Sequence, residues 1–430
     1  MLRKQFPIRL RNTRAIALLT LLLAAAVAAR PAQAQTYTVL HAFTASPDGA
    51  IPNPLIRDAQ GNLYGTTKVG GLATCGEGTC GTVFKVDSAG KETVLYSFEG
   101  GNNGTNPVAG LVRDAAGNLY GTTQGNGFIG GQSVIFKVDP KGQQTVLYVA
   151  DGPDASSLDS PLTLDAHGNL YGMSPFGGNS NCGESGGGCG TLFKITPAGK
   201  FTLLHAFTEA DGRQPEGGLV LDAKGNLYGT TNFGGDLNCE SAGYGYFVPG
   251  CGTIFKLDRK GKFTVLHTFT GKTGERGGSF PSGVIIDSAG NLYGIAQNGG
   301  DIAGDYIYGL GTIFKVDTSG KFSVLFTFTP AQTRNAVYAN HLLRDSKGNL
   351  YGAEQSNNCA KGGGCLFRID PKGNYTDLYD FEGEGEGPDG FDPMGVVFGS
   401  HGDFYGSMFI GGKGEPDCTN GCGTVFHLVL

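Results

Sequence analysis

Short apolar runs of four to seven residues, rich in Val, Ile, Leu, Tyr, Phe and Thr, recur along the whole chain after residue 35, and none is long enough or has the 3.6-residue period of a helix. LIRD (Leu55 to Asp58), NLYGTT, GTVFKVD and TVLYSF are examples from one stretch, and all predict strands. Their order repeats. GNLYG stands at Gly61, Gly117, Gly168, Gly225, Gly290 and Gly348, with a relaxed copy, GDFYG, at Gly402. GTVFK at Gly81 has six later relatives, and TVLHAF at Thr38 has six more, so three independent strings each give seven units.

Between the first and second runs stand DAQG, DAAG, DAHG, DAKG, DSAG, DSKG and GSHG; between the third and fourth stand sequences such as DSAG, DPKG and DRKG. Asp can bond the backbone two residues on, Pro presets φ, and Gly accepts the left-handed conformation that closes a tight hairpin. Seven hairpins of the first kind meet only six of the second, because the chain begins with an isolated fourth strand (Thr36 to Phe43) and stops with a third strand (Gly423 to Leu430). The offset ends predict an all-β, seven-bladed β-propeller of four-stranded antiparallel blades whose last blade is closed by the N-terminal strand, leaving only short, protected sheet edges. Predicted blades cover 52–98, 107–150, 161–207, 215–269, 281–328, 338–381, and 393–430 with that strand. An open β-solenoid would need polar caps and would leave the offset ends unexplained.

These units resemble the GloVer-type tandem repeat of exported bacterial proteins, in which GNLYGTT, GTVFK and TVLHSF-like segments follow in this order. The resemblance covers 36–430 and implies export and a propeller, with no general activity attached. A looser likeness to NHL-type and lactonase or lyase propellers rests on the D-x-x-G-N-L-Y hairpin alone. Departures from the repeat are Val149 and Ala150 where other units have small-Phe, Cys365 in place of Thr, and Asp403 and Phe404 in place of Asn-Leu.

Composition adds an address. The first 34 residues carry six cations and no acid, with an apolar run from Ala15 to Ala29 and Ala32-Gln33-Ala34 before Gln35, the pattern of a cleaved signal peptide over 1–34 preceding a propeller over 35–430. The run is too short to span a membrane, and no other segment is long and apolar enough, so a mature chain without a membrane span is expected, in the periplasm, secreted or at the cell surface. The remainder holds 26 bases against 38 acids, a net of −12, which excludes nucleic acid as a natural partner. A monomer that takes an extracellular glycan, peptide or protein is expected.

All ten cysteines lie in or beside the connections from second to third strand, two per loop: Cys75 and Cys80, Cys182 and Cys189, Cys239 and Cys251, Cys359 and Cys365, Cys418 and Cys422. An even count, an export signal and pairing by loop predict five local disulfides; the intervals fit no common zinc spacing. These loops are long and variable, and variable loops on a rigid scaffold are where binding resides. Tyr244, Tyr246, Phe247, Tyr306 and Tyr308 lie in the loops of units four and five outside the strand slots, so they are the candidate ligand contacts.

His41, His205 and His267 occupy a slot filled elsewhere by Tyr or Phe, which assigns them to packing. His341 stands where other units have Gly or Pro at the innermost strand. With Asn53, Asp159, Glu216, Asn340 and Asp392 expected around the channel mouth, it offers an alternative reading: a metal-assisted hydrolase or lyase using His341, Glu216 and Asp392. No catalytic motif of a recognised kind is present, and no cofactor is expected; calcium, at the acidic segment Glu382 to Asp392, or another divalent metal is the one candidate.

Overall fold

A computed structural model gives the architecture, describing residues 35–430 except 73, 76, 77, 126–131, 151, 154, 156, 181, 183–186, 244, 245, 272–277, 301–308, 331, 333–341, 356–358, 384–389, 413–417, 419 and 420. Seven antiparallel sheets follow one another around a ring, and each is a β-meander running outward from a first strand. Blade one uses a first strand in two pieces (Ala50–Pro52 and Ile56–Arg57), then Leu63–Val69, Thr82–Val86 and Glu92–Ser97. Blade four runs Arg213–Leu221, Leu227–Phe233, Thr253–Leu257 and Phe263–Thr268.

Blade seven closes the ring as expected. Its strands Phe391–Phe398, Phe404–Ile410 and Thr424–Val429 are completed by Thr36–Ala42, with Thr36 opposite Val429 and Ala42 opposite Thr424. Phe43 N–H then donates to the Gly423 carbonyl at 3.0 Å.

The D-x-x-G turn is more than a tight hairpin. Asp58 Oδ1 accepts from the backbone N–H groups of Gln60 and Asn62, and its Oδ2 accepts from Asn62 Nδ2 and the Tyr64 hydroxyl, all within 2.8–3.0 Å. Asp114, Asp165, Asp222, Asp287 and Asp345 repeat the pattern. Burial alone would raise these carboxyls, but the hydrogen bonds outweigh it and hold each below the usual range. In blade seven Gly399 takes the Asp position, and Asp403 instead meets His427 Nε2 at 2.6 Å. The departure at Asp403 and the His in a Lys slot therefore compensate each other.

Phenylalanines fill the space between blades. Phe98, Phe207, Phe269 and Phe328 directly after fourth strands, Phe381 near the end of one, and Phe43 directly after the N-terminal strand are fully buried, and most meet a third-strand Phe edge to face, as Phe98 meets Phe136. Edge-to-face pairs match the positive ring edge to the negative face. Further out, fourth strands of neighbouring blades touch through a second ladder. His205 stacks on Phe263 and His267 on Phe322 at 3.8 Å, Tyr148 on Phe201 at 4.5 Å, and Tyr379 on Tyr37 at 5.6 Å. Burial lowers the His267 pKa to about 4, so this ring packs as a neutral aromatic.

First strands of blades one, four, five and seven begin about two residues before the predicted starts, each opening around a left-handed residue followed by Pro: Ile51-Pro52, Gln214-Pro215, Phe280-Pro281 and Asp392-Pro393; blade two has the same step at Asn106-Pro107, where Pro107 makes an isolated bridge to Thr123 ahead of the strand Val112–Arg113. Proline is tolerated because these are inner edge strands. The left-handed residue also reaches across. Ile51, Asn106, Gln214 and Phe280 donate their N–H groups to the carbonyls of Cys422, Cys80, Cys189 and Cys251 in the preceding blades at 2.8–3.2 Å. The glycine beside each of those cysteines has no room for a side chain: a Cβ on Gly252 (φ 95°) would fall 2.7 Å from Pro281 Cδ, and one on Gly190 2.4 Å from Pro215 Cδ. Gly364 meets Pro393 in the same way. Every blade with a cysteine pair is thus followed by a blade that opens on this proline step. Blades two and five have no cysteines, and the blades after them have no such step.

Candidate functional site

Four of the five expected disulfides are formed between described residues: Cys182–Cys189, Cys239–Cys251, Cys359–Cys365 and Cys418–Cys422, with Cα separations of 5.3–5.8 Å that suit the bond. Cys80 is also disulfide-bonded, and the side chain of Cys75 lies outside the described residues. Among the described residues two groups of three potential metal ligands occur, Cys182, Cys189 with Glu209 and Cys359, Cys365 with Glu354. In both, the two sulfurs are spent on each other, so neither is a metal site in this oxidation state.

The two ends of the disc differ in kind. At one end lie the near-identical Asp turns. At the other, where first strands begin and second strands finish, lie the cysteine loops, and Leu72, Phe176 and Leu237 of blades one, three and four project there at 74%, 38% and 45% exposure. The register fixes this placement, since Pro52 pairs with Thr67 and Glu216 with Thr230 near the far ends of the second strands.

Of the residues expected at the channel mouth, Asn53 is buried and donates to Thr66 Oγ1 and to the Pro107 carbonyl of the next blade at 2.9 and 2.8 Å, so it ties two blades together. Asp159 and Glu216 do come together across blades three and four, each feeling burial. Burial raises the Glu216 pKa first and the Asp159 charge raises it further, against one hydrogen bond of 2.8 Å from Asn232 Nδ2. Asp159 is likewise raised by burial, opposed by hydrogen bonds from Ser157 Oγ (2.7 Å) and the Gln124 side chain and by the charge of Lys68. Lys68, Gln124 and Asn232 share one slot, the residue after the two that follow LYG, and no sequence signal other than that shared slot marks them.

Asp392 sits at φ 60° before Pro393 in blade seven. His341 and Asn340, Tyr244, Tyr306 and Tyr308, and 384–389 of the acidic segment lie outside the described residues; Glu382 is paired with Lys361 at 3.8 Å. The backbones of Tyr246 and Phe247 form the second strand of a small hairpin, Glu240–Gly243 with Tyr246–Pro249, which stands on the loop-bearing end of blade four.

Among the described residues no helix is long and apolar enough to cross a membrane, and the disulfides fit an oxidising compartment.

The family model described as the Gloeobacter/Verrucomicrobia repeat matches residues 28–243, 185–356 and 244–430, which together span the propeller. No curated protein sequence matches the chain. Among solved structures, a catalytically inactive virginiamycin B lyase from Staphylococcus aureus with quinupristin superposes with TM-score 0.58 at 15% identity, over 92% of this chain and 100% of that one. The extracellular domain of a putative hybrid two-component system from B. thetaiotaomicron gives 0.51 at 13% identity, over 91% of this chain and 41% of that one. At such identities the likeness is one of fold.

Proposed function

The chain belongs to the Gloeobacter/Verrucomicrobia repeat family, and from that starting point we propose that it is an exported, non-catalytic binding protein whose loop-bearing end takes an extracellular glycan, peptide or protein. One observation carries the reading: the two ends of the disc are built differently. Six of the seven first turns use the same Asp, Asn and Tyr hydrogen-bonding box, so that end repeats one shape around the ring and offers little by which to discriminate a ligand. The other end differs from blade to blade, is stiffened by disulfides, and presents exposed apolar side chains beside a polar channel mouth. Rigid, varied loops lower the ordering cost of binding. The candidate contacts are Tyr244, Tyr246, Phe247, Tyr306 and Tyr308, with Leu72, Phe176 and Leu237 added by their exposure.

A glycan and peptide array probed with the oxidised protein tests this. Hits should weaken when Tyr246 and Leu237 are changed to Ala, with the denaturation midpoint unchanged, and should survive changes of Lys91, Lys141 and Lys260 in the turns at the other end. The opposite pattern would place binding on the turn end and end the proposal.

A further inference from the structure

The junction between blades two and three lacks the features that hold the regular junctions, and the first two of these are missing after blade five as well. Blade two has no cysteine pair, and blade three does not open on the left-handed proline step. Ala150 stands where a buried Phe closes the other fourth strands, and Ala155 and Leu158 fill the space instead. A hydroxyl bridge found at two other junctions is not made here either. Thr66 donates to the Ala109 carbonyl of blade two and Ser407 to the Asn53 carbonyl of blade one, each bridging to the following blade. Thr122 holds the same slot in blade two and is 1% exposed, yet its hydroxyl has no hydrogen-bond partner among the described residues. Ser160, beside Asp159 in blade three and 2% exposed, is in the same condition. A buried hydroxyl without a partner carries a desolvation cost that a hydrogen-bonding guest would relieve.

Along the chain, Thr122 stands two residues before Gln124 and Ser160 stands next to Asp159. From this juxtaposition we infer that the channel mouth at blades two to four is a subsite for one neutral sugar ring, formed by Gln124, Ser157, Asp159, Phe176, Glu216 and Asn232. The inference rests on the loop-end binding reading and narrows its ligand to a glycan.

Charge selects the ligand class. A divalent cation would need acceptors alone, and the Lys68 ammonium beside Asp159 opposes it. An anion would face two carboxylates. A sugar hydroxyl both donates and accepts, so it suits a site that mixes carboxylate acceptors, amide and ammonium donors, and hydroxyls that serve as either. An exposed aromatic side chain lies on the adjoining segment: the Ser157 N–H reaches Ser174 Oγ at 3.4 Å, and that hydroxyl donates to the Phe176 carbonyl at 2.7 Å, which ties the backbone of Phe176, a residue 38% exposed, to the segment carrying Ser157 and Asp159. An aromatic ring can cover the apolar C–H face of a pyranose while polar groups take its rim.

Calorimetric titration of the oxidised mature protein with methyl glycosides of glucose, galactose and mannose tests the subsite, using calcium chloride as a separate titrant. At least one glycoside should bind saturably. Asp159→Asn and Phe176→Ala should each weaken it by about tenfold or more, while Lys260→Ala, in a turn at the other end of the disc, leaves it unchanged. Phe176 is exposed, so its truncation reports on binding even if Asp159→Asn disturbs folding. No saturable glycoside binding, binding indifferent to both changes, or calcium binding abolished by Asp159→Asn would each overturn the subsite. Array hits that persist in Asp159→Asn and Phe176→Ala would sink the subsite alone and leave the loop-end reading standing.

Discussion

The junctions between blades four and five and between blades two and three solve one packing problem in opposite ways. At the first, Phe269 is buried edge to face on Phe314, His267 lies flat on Phe322, the Cys239–Cys251 loop offers its carbonyl to Phe280, and Gly252 seats Pro281. At the second, the cysteines, the proline step and the Phe are all missing, and two half-buried carboxylates with raised pKa values lie close by. The difference teaches that the repeat spends its regular residues on holding the ring, and that where they are missing at this junction partly buried polar groups stand instead. Sites that need strained or desolvated groups draw on stability held elsewhere.

The largest effect is expected at the regular junction. Phe269→Ala should cost about 3–5 kcal/mol, the usual range for a fully buried aromatic, measured by chemical denaturation. A loss below about 1 kcal/mol would mean that the junction repacks freely, erasing the contrast with Ala150.

Removing the blade-four bridge with Cys239→Ser and Cys251→Ser together should cost about 3 kcal/mol, the chain-entropy value for a loop of this size. If the bridge matters only inside its own loop, the Pro281→Ala change should add its full effect on top. If bridge and proline act as one latch, the two changes should be less than additive.

A smaller effect of opposite sign is expected at the irregular junction. Asp159 and Glu216 are raised above their ordinary values, so the folded chain binds more protons than the unfolded one, and stability falls as pH rises from the normal carboxylate range towards the raised values. Glu216→Gln and Asp159→Asn should therefore raise the denaturation midpoint at pH 7, with the gain vanishing below about pH 3, under the ordinary carboxylate values, where these carboxyls are protonated in both states. A midpoint that drops at pH 7 would show these acids to be structural.

Most of the architecture is legible before any coordinates. Strings such as GNLYG and GTVFK encode strand, turn and next strand within one short window, and the lone fourth strand at one end with the three-stranded blade at the other encodes closure. The packing role of His205 and His267 is legible too, because a slot shared with Tyr and Phe is an aromatic slot. The proline latch escapes a repeat-by-repeat reading because its two halves lie in different units, Cys251 in one and Pro281 in the next; only a comparison of neighbouring units reveals them. The mouth is harder still. Asp159 and Glu216 are expected there from their places ahead of the first strands, but Gln124 and Asn232, in a slot after the second strand's LYG, carry no sign in the linear pattern that they meet those acids. Blade closure around an axis brings them together, and the burial that raises their pKa values has no local sequence sign.

The latch itself can be watched directly. Hydrogen exchange on the native protein before and after reduction of the disulfides follows the amides of Ile51, Asn106, Gln214 and Phe280, which donate to cysteine carbonyls of the preceding blades. Reduction should speed exchange at these four amides while leaving the first strand of blade three, Thr163–Leu164, at its original rate. Faster exchange confined to the cysteine loops, with the four amides unchanged, would show that the bridges stiffen only their own loops and do not hold the ring.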